Sequence, residues 1–433
     1  MSVGHFLEHM KPQLIEWRRK LHQHPELGFM EYETTAFIAK QLEDLGFKIY
    51  IGKDALKSES RYGVPACEEL KKQEQSAKAA GVPDHLMNLM KGGHTGLAAL
   101  WDTEREGKHS AFRFDIDALP IEEAESEVHL PFKHSFSSQR KGVMHACGHD
   151  GHTSIGLGLA HYIFENHKHL NGTFTLLFQP AEEGGRGAKA MTDKGWLKEA
   201  DHFYSGHIGI QQLPVGTIAA STRGFLASSK LNATFKGQSS HAGMKPEDGR
   251  NALLAAATAA TQLYTIPRHS EGVSRVNVGK LAAGNGRNII SDKGYLELET
   301  RGETQAINQF MQQQAKRIIQ SAADMHNVEA LVEFVGETEE MVCDESLISS
   351  IQSACKESLF VQRVEPSAQV SGSEDASFMI NEVQSHGGQA TYMLFGTPLP
   401  ANHHAPLFDF DEGVLTTALE TYIQIVKGGH SVA

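Results

Sequence analysis

The stretch Met144-His145-Ala146-Cys147-Gly148-His149-Asp150-Gly151-His152 places three imidazoles, a thiol and a carboxylate within nine positions. Neither a packed core nor a solvated loop requires that much ligand chemistry, so the segment reads as a metal site. Any one of these side chains alone would more simply be a buried small group or a satisfied ring, and it is the clustering that changes the reading. Cys147 and His149 are two apart, so in an extended segment both project to one face, while Gly148 between them lets the backbone turn. A thiolate with neutral imidazoles suits zinc or a neighbouring divalent transition metal, whereas calcium and magnesium call for oxygen ligands. Two ligands leave such a site incomplete, and the other donors have to come from elsewhere in the chain.

Working outward, residues 150–165 read as a helix with Ile155, Leu159, Tyr162 and Ile163 on one face, which puts the cluster on a loop feeding a helix N-terminus. An apolar β run, Thr173–Gln179, ends at Pro180-Ala181-Glu182-Glu183-Gly184-Gly185. Adjacent carboxylates at a strand end point in different directions, so one can hold metal while the other faces substrate and moves protons. The alternative is an ordinary solvated pair. A short strand, 202–206, delivers His207, and a strand at 391–395 leads to Asn402-His403-His404-Ala405-Pro406. Upstream, strand-like runs at 94–101 and 110–114 precede Asp115-Ile116-Asp117-Ala118-Leu119-Pro120, whose aspartates either orient histidines or cap a turn. Strands that repeatedly end in a ligand or carboxylate describe an α/β fold, a parallel sheet with its active site on the rim.

The flanking sequence completes the architecture. Leu14, Trp17 and Leu21 make 12–24 an amphipathic helix stopped by Pro25, and a second helix starts near Thr34 with Gly46 as its C-terminal cap. Residues 56–93, rich in Lys, Glu and Gln, read as a helical insertion on the surface, with disorder as the alternative. From about Thr222 the texture changes to a strand at 226–235, a helix at 251–263, strands at 273–281 and 295–301, a helix at 307–325 and a strand at 328–335. That β-α-β-β-α-β order predicts a ferredoxin-like module inserted into the larger domain. Glycine-rich loops within it, 237–243 and 284–288, can approach a ligand closely, and His241 is placed either for contact or in water. A helix at 345–359, a loop at 371–375 and a helix at 412–426 return to the first texture. The expected domains are 1–221, 222–337 and 338–433, the first and last forming one catalytic domain.

Composition narrows the partners. With 40% apolar and 21% charged residues the chain of 433 residues has ample core, and a formal charge of -13 disfavours nucleic acid or an anionic membrane surface. Four scattered cysteines do not make a disulfide framework and are expected to be reduced. The N-terminus lacks the pattern of a secretory peptide and no apolar run is long enough for a membrane span, so a cytoplasmic protein acting on a small molecule is expected.

Six motifs in order resemble those of the dinuclear metallo-amidohydrolases, the family of aminoacylases, auxin-conjugate hydrolases and carboxypeptidase-like enzymes. They are 18–28 (Arg-Arg-Lys-Leu-His-Gln-His-Pro-Glu-Leu-Gly), 115–120, 144–152, Gln-Pro-Ala-Glu-Glu at 179–183, Ser-Ser-His-Ala-Gly at 239–243 and Ser-Glu-Asp at 373–375. The insertion at 56–93 and Phe408-Asp409-Phe410-Asp411-Glu412 point to the branch that acts on p-aminobenzoyl-glutamate. The resemblance implies a zinc-exopeptidase-like catalytic domain with a mixed, mainly parallel sheet, and an inserted lid or dimerisation domain. It implies two divalent ions, manganese or zinc, held by Cys147, His149, Glu183, His207 and His404, with the Cys147 thiolate in the bridging place. Glu182 becomes the general acid/base and His241 the residue that steadies the oxyanion, while Asn288 and Arg301 grip the substrate carboxylate. The implied reaction is hydrolysis of the amide of p-aminobenzoyl-glutamate or a related N-acyl amino acid, by a homodimer or a heteromer with a paralogous subunit. The alternatives are an aminoacylase acting on N-acyl or indole-acetyl amino acids, and a chain that is active only within a heteromer.

Overall fold

The structure, a computed structural model, describes residues 2–431. The chain divides into two compact units, the first built from residues up to Arg223, Met341–Val370 and from Asp375 onward, and the second from Gly224–Glu340 and Ser371–Glu374.

The first unit holds an eight-stranded sheet in the order Lys48–Ile51, Leu97–Asp102, Thr173–Gln179, His109–Asp115, His202–Gln212, Gln389–Thr397, Thr217–Ala219 and Arg363–Glu365. Its four central strands, from Thr173–Gln179 to Gln389–Thr397, are mutually parallel, whereas the pairings outside them include antiparallel ones. The sheet is therefore mixed rather than wholly parallel. The central strands are buried along almost their whole length, polar residues included, as strands covered on both faces must be. Helix His149–Asn166 covers one face and packs against helices Val3–Gln23 and Gly413–His430. Gly156 lets that helix lie directly on the sheet, since a Cβ there would come within 2.6 Å of the Phe114 ring.

Several boundaries differ from expectation for identifiable reasons. The first helix begins at Val3, capped by the Ser2 hydroxyl, and not at residue 12. Phe6, Leu7 and Met10 extend the apolar stripe of Leu14, Trp17 and Leu21, and their burial offsets the one backbone bond that Pro12 forgoes inside the helix. The strand at 202 runs on to Gln212, so His207 lies within it rather than past its end. The helix at 345 stops at Ala354, and Ala376–Ser385, to which the sequence reading assigned no element, is helical. The 56–93 segment forms helices Cys67–Ala79 and Asp84–Met90, but it is not purely superficial: Ala77, Leu86, Met87 and Met90 belong to the main hydrophobic core.

The second unit shows the β-α-β-β-α-β order, with an antiparallel sheet in the order Ser274–Ala283, Lys293–Gly302, Ala227–Lys236, Glu329–Thr338. One face of that sheet packs through Leu231, Phe235, Leu296 and Leu298 onto Ala255, Ala259, Met311 and Ile319 of two helices. Asn251 and Thr304 cap those helices by accepting the Leu254 and Ile307 N–H groups. This is the ferredoxin-like arrangement. Among the described residues, no helix of either unit is long and apolar enough to cross a membrane.

In the first unit, buried Arg18 ties three segments together. Its guanidinium meets Asp150 at 3.0 Å, Asp409 at 2.6 Å and Glu412 at 3.3 Å. Replacing it with methionine leaves Asp150 and Asp409 as buried, underpaired charges, and Arg18→Met is expected to lose about 3–5 kcal/mol in urea unfolding of the full chain. A loss under about 1 kcal/mol would mean that water replaces the guanidinium freely.

Candidate metal centre

Gly148 has φ +87°, the left-handed conformation open to glycine, and it turns the chain from Cys147 into helix His149–Asn166. The turn brings His149 over the ends of the central strands. Its Nδ1 faces only acceptors, the Asp117 carbonyl at 2.9 Å and the Asp117 Oδ1 at 3.2 Å, so Nδ1 carries a proton and Nε2 is the nitrogen left to face the cluster. Among the described residues Nε2 is buried without a hydrogen-bond partner, 3.7 Å from Asp115 Oδ1 and 3.8 Å from Glu182 Oε2. A buried ring nitrogen that faces carboxylates and can exchange its proton for a metal ion fits a bound cation.

His207 is oriented in the same way. Its Nδ1 donates to the Ile208 carbonyl at 2.7 Å, which leaves the Nε2 lone pair facing Cys147 Sγ at 3.4 Å. His404 arrives from the other end of the chain with φ +64°, anchored by its N–H on the Ala146 carbonyl at 2.9 Å, and sets Nε2 3.1 Å from Glu183 Oε1. Its neighbour His403 instead puts Nε2 on the Ile208 carbonyl at 3.1 Å and its ring beside that of His207.

The donor atoms fall into overlapping groups, each within 4.8 Å: Cys147, His149 and His207; Cys147, Glu183 and His404; and His149, Glu182 and Glu183. Two groups share the Cys147 sulfur, an arrangement that provides for two cations side by side. A fourth group, Asp115, His149 and His152, is closed to metal at His152. That ring accepts the Ile208 N–H on Nε2 at 2.9 Å, so its other nitrogen is protonated and donates to Asp115 Oδ1 at 2.5 Å.

Electrostatics agree. Burial opposes charge on His149, yet Asp115, Asp117 and Glu183 outweigh it and push the imidazole up to about 10. Burial likewise works against the Asp115 carboxylate, but His149, His152 and Arg113 hold it well below the usual range. His207, buried among His152 and His403, is driven well below an ordinary histidine and stays neutral. The pocket therefore has surplus negative potential around His149 and a neutral lone pair on His207.

The Glu182–Glu183 turn is held from below. Asp117 accepts the Glu182 N–H on Oδ1 and the Glu183 N–H on Oδ2, each at 3.0 Å, and Arg186 Nε donates to the Glu183 carbonyl at 2.7 Å. Arg113 spans Asp115 at 2.7 Å and Asp375 at 3.1 Å, and Asp375 in turn accepts from Gln179 and the Gly187 and Ala188 N–H groups.

The residues assigned by resemblance thus divide. Cys147, His149, Glu182, Glu183, His207 and His404 converge in the first unit. His241, Asn288 and Arg301 lie in the second. There His241 is exposed in a two-residue pairing with Ile289, its Nδ1 accepting the Gly243 and Met244 N–H groups, and the Asn288 carbonyl accepts the Ala242 N–H. Arg301 is bidentate on Glu299 at 3.0 and 3.1 Å, with Nη1 3.5 Å from Ser373 Oγ. Sequence reasoning missed Arg113 as a support of the site, counted His152 in the ligand-rich cluster without a role of its own, and left open whether His403 or His404 binds. The two histidines carried a signal, their place beside ligand residues, whereas an arginine in a strand looks solvated until its partners are known.

The profile of Peptidase family M20/M25/M40 matches residues 111–428. The chain belongs to that family. Indole-3-acetyl-aspartic acid hydrolase of Enterobacter agglomerans is 42% identical over 420 residues, covering 97% of this chain and 96% of the relative. One of the subunits of p-aminobenzoyl-glutamate hydrolase from Escherichia coli is also 42% identical, over 424 residues, with 97% and 96% covered. Among solved structures, the aminobenzoyl-glutamate utilization protein of Klebsiella pneumoniae has a TM-score of 0.85 at 36% identity, with 98% of each chain covered. This chain is accordingly a metal-binding amidohydrolase of the M20 family, and its mixed sheet and separate antiparallel sheet are that family's fold.

For an M20 enzyme built this way, divalent cations should bind with release of protons from Cys147 and His149. Calorimetry on chelator-treated protein is expected to give two Mn²⁺ or Zn²⁺ per chain, with affinity rising from pH 6 to pH 8. At a free-ion concentration of about 100 times Kd, stability should rise by about 2.7 kcal/mol for each ion bound. Binding independent of pH would exclude the thiol and His149 as ligands.

Proposed function

We propose that this chain hydrolyses the amide bond joining an aromatic acyl group to an acidic amino acid, with p-aminobenzoyl-glutamate as the leading substrate. The observation that carries the reading is the convergence of Cys147, His149, Glu183, His207 and His404 beside the Glu182 carboxylate. Two of the relatives support the substrate class, because the names of both describe hydrolases of an aromatic acyl group linked to aspartate or glutamate. Their equal identity to this chain favours a second reading within the class, an indole-acetyl-aspartate hydrolase.

In this proposal the five donors hold two divalent ions, manganese or zinc, and Asp117 keeps His149 in the tautomer that presents Nε2. When bound, such ions lower the pKa of a coordinated water toward about 7 and polarise the amide carbonyl. Glu182 accepts the proton of the attacking water and passes it to the amide nitrogen, so that the C–N bond breaks with the amino acid leaving as a neutral amine. His241 donates to the developing oxyanion, and Asn288 with the Nη1 arm of Arg301 holds the substrate's carboxylate. The name of the Escherichia coli relative, which makes it one subunit of its enzyme, supports assembly with a paralogous subunit, with a homodimer as the other arrangement. The charge of -13 supports a small-molecule substrate rather than nucleic acid or an anionic membrane surface.

A panel of N-aroyl and N-acyl amino acids, with and without Mn²⁺ or Zn²⁺, should show highest kcat/KM on aroyl-glutamate or indole-acetyl-aspartate, and uniform activity across the panel would set the substrate class aside. Glu182→Gln should lower kcat by about 10²–10⁴-fold with metal content intact. His241→Ala should lower it by about 10²–10³-fold, and near-normal turnover would remove His241 from the mechanism. Purified, metal-loaded chain that is inert on every member until a paralogue is added would establish the heteromer.

A further inference from the structure

We propose that Glu31, at the entry to helix Tyr32–Asp44, is a positioning residue that holds the Glu182–Glu183 pair in its working orientation through the backbone of Ala181. The inference rests on the roles given to Glu182 and Glu183 in the proposed function.

Ala181 stands between strand Thr173–Gln179 and the two glutamates, with φ +52°. A residue with a Cβ occupies that region only where its surroundings over-determine it. The strain is local to the point where the chain has to turn the two carboxylates toward the metal groups. What holds it comes from far away in sequence. Glu31 Oε1 accepts the Ala181 N–H at 2.8 Å across a separation of 150 residues, and Oε2 takes the hydroxyl of Thr95. Glu31 is fully buried, and its own carbonyl accepts the Thr35 N–H at 2.9 Å, so the carboxylate is mounted on the first turn of a helix that is itself packed in the core.

The next two donors of the same turn, the Glu182 and Glu183 N–H groups, go to the two oxygens of Asp117. Three consecutive backbone donors are thus assigned to two buried carboxylates from two different segments. Asp117 already serves the other two donors and the His149 ring, and among the described residues the Ala181 N–H has Glu31 as its one acceptor, which a loss of Glu31 removes. That donor would then be buried without an acceptor, and the left-handed residue would lose its anchor. Relaxation of Ala181 rotates the peptide that carries Glu182, and a displacement of about 1 Å at such a group costs on the order of 10²-fold in rate.

The side-chain chemistry separates the variants. Glutamine at 31 keeps an acceptor for Ala181 and offers its amide N–H to the Thr95 oxygen, so Glu31→Gln should stay within about threefold of wild type. Glu31→Ala should lower kcat by about 10–100-fold with little change in KM, and weaken Mn²⁺ binding by calorimetry by about 10–100-fold. Adding Ala181→Gly to Glu31→Ala lets residue 181 adopt positive φ without strain, and should recover part of kcat. Recovery of turnover by a glycine at 181 is not expected if Glu31 merely supports the fold. Should Glu31→Ala fail to fold, Thr95→Val decides the matter, since it frees one oxygen of Glu31 and should lower kcat several-fold.

The assays use the full chain, Mn²⁺, and p-aminobenzoyl-glutamate or the best-cleaved member of the panel, with Glu182→Gln measured in parallel. If Glu182→Gln is inactive while Glu31→Ala and Thr95→Val both fold and keep wild-type kcat and Mn²⁺ affinity, the positioning role is overturned and the proposed function stands. If Glu182→Gln itself retains turnover, the proposed function falls first.

Discussion

The Asp117 carboxylate is the joint on which the centre depends. It accepts the His149 Nδ1–H and the backbone N–H groups of Glu182 and Glu183, so one buried anion sets the tautomer of an imidazole and the path of the neighbouring turn. Hydrogen bonds to an ionised acceptor contribute about 1.5–3 kcal/mol each, enough together to offset much of the cost of burying the charge. Their more important effect is directional. With Nδ1–H committed to Asp117, His149 has no choice but to present Nε2 to the cluster of sulfur, imidazole and carboxylate donors.

Beneath that joint lies a layer of paired charge rather than apolar packing. Arg113 bridges Asp115 and Asp375, and Arg18 bridges Asp150, Asp409 and Glu412, so strands and helices from both halves of the catalytic unit are fastened under the metal groups. Hydrophobic residues of similar volume could stabilise such a core as well or better. What ion pairs add is geometry: each fork of guanidinium and carboxylate has only a narrow range of good arrangements. In this M20 hydrolase, whose candidate donors come from five places between Cys147 and His404, that register decides whether they meet.

Two of the left-handed non-glycine residues belong to the same arrangement. Positive φ at Ala181 and at His404, neither of them glycine, occurs where the chain has to deliver a carboxylate or an imidazole, and each of these residues has its backbone N–H bound to a buried acceptor. Gly148 solves the equivalent problem before His149 without strain. Two ways of turning a chain at a metal centre thus coexist, one by composition and one by tertiary hydrogen bonding.

The sequence by itself determined a good deal. Close spacing in the 144–152 stretch marked Cys147 and His149, adjacency marked Glu182 and Glu183, and hydrophobic periodicity laid out the β-α-β-β-α-β module, because these patterns are written over a few neighbouring residues. It was less reliable where local and tertiary signals conflict, as at Pro12 and in the charged segment 56–93, whose Leu86, Met87 and Met90 are core residues. Which imidazole of the 403–404 pair faces Glu183, why His152 is closed to metal, and that Glu31 reaches Ala181 were decided only by the tertiary structure. Each of those facts is a matter of which lone pair or N–H meets which partner across more than fifty residues of chain, and hydrogen-bond direction depends on backbone orientation that no local pattern encodes.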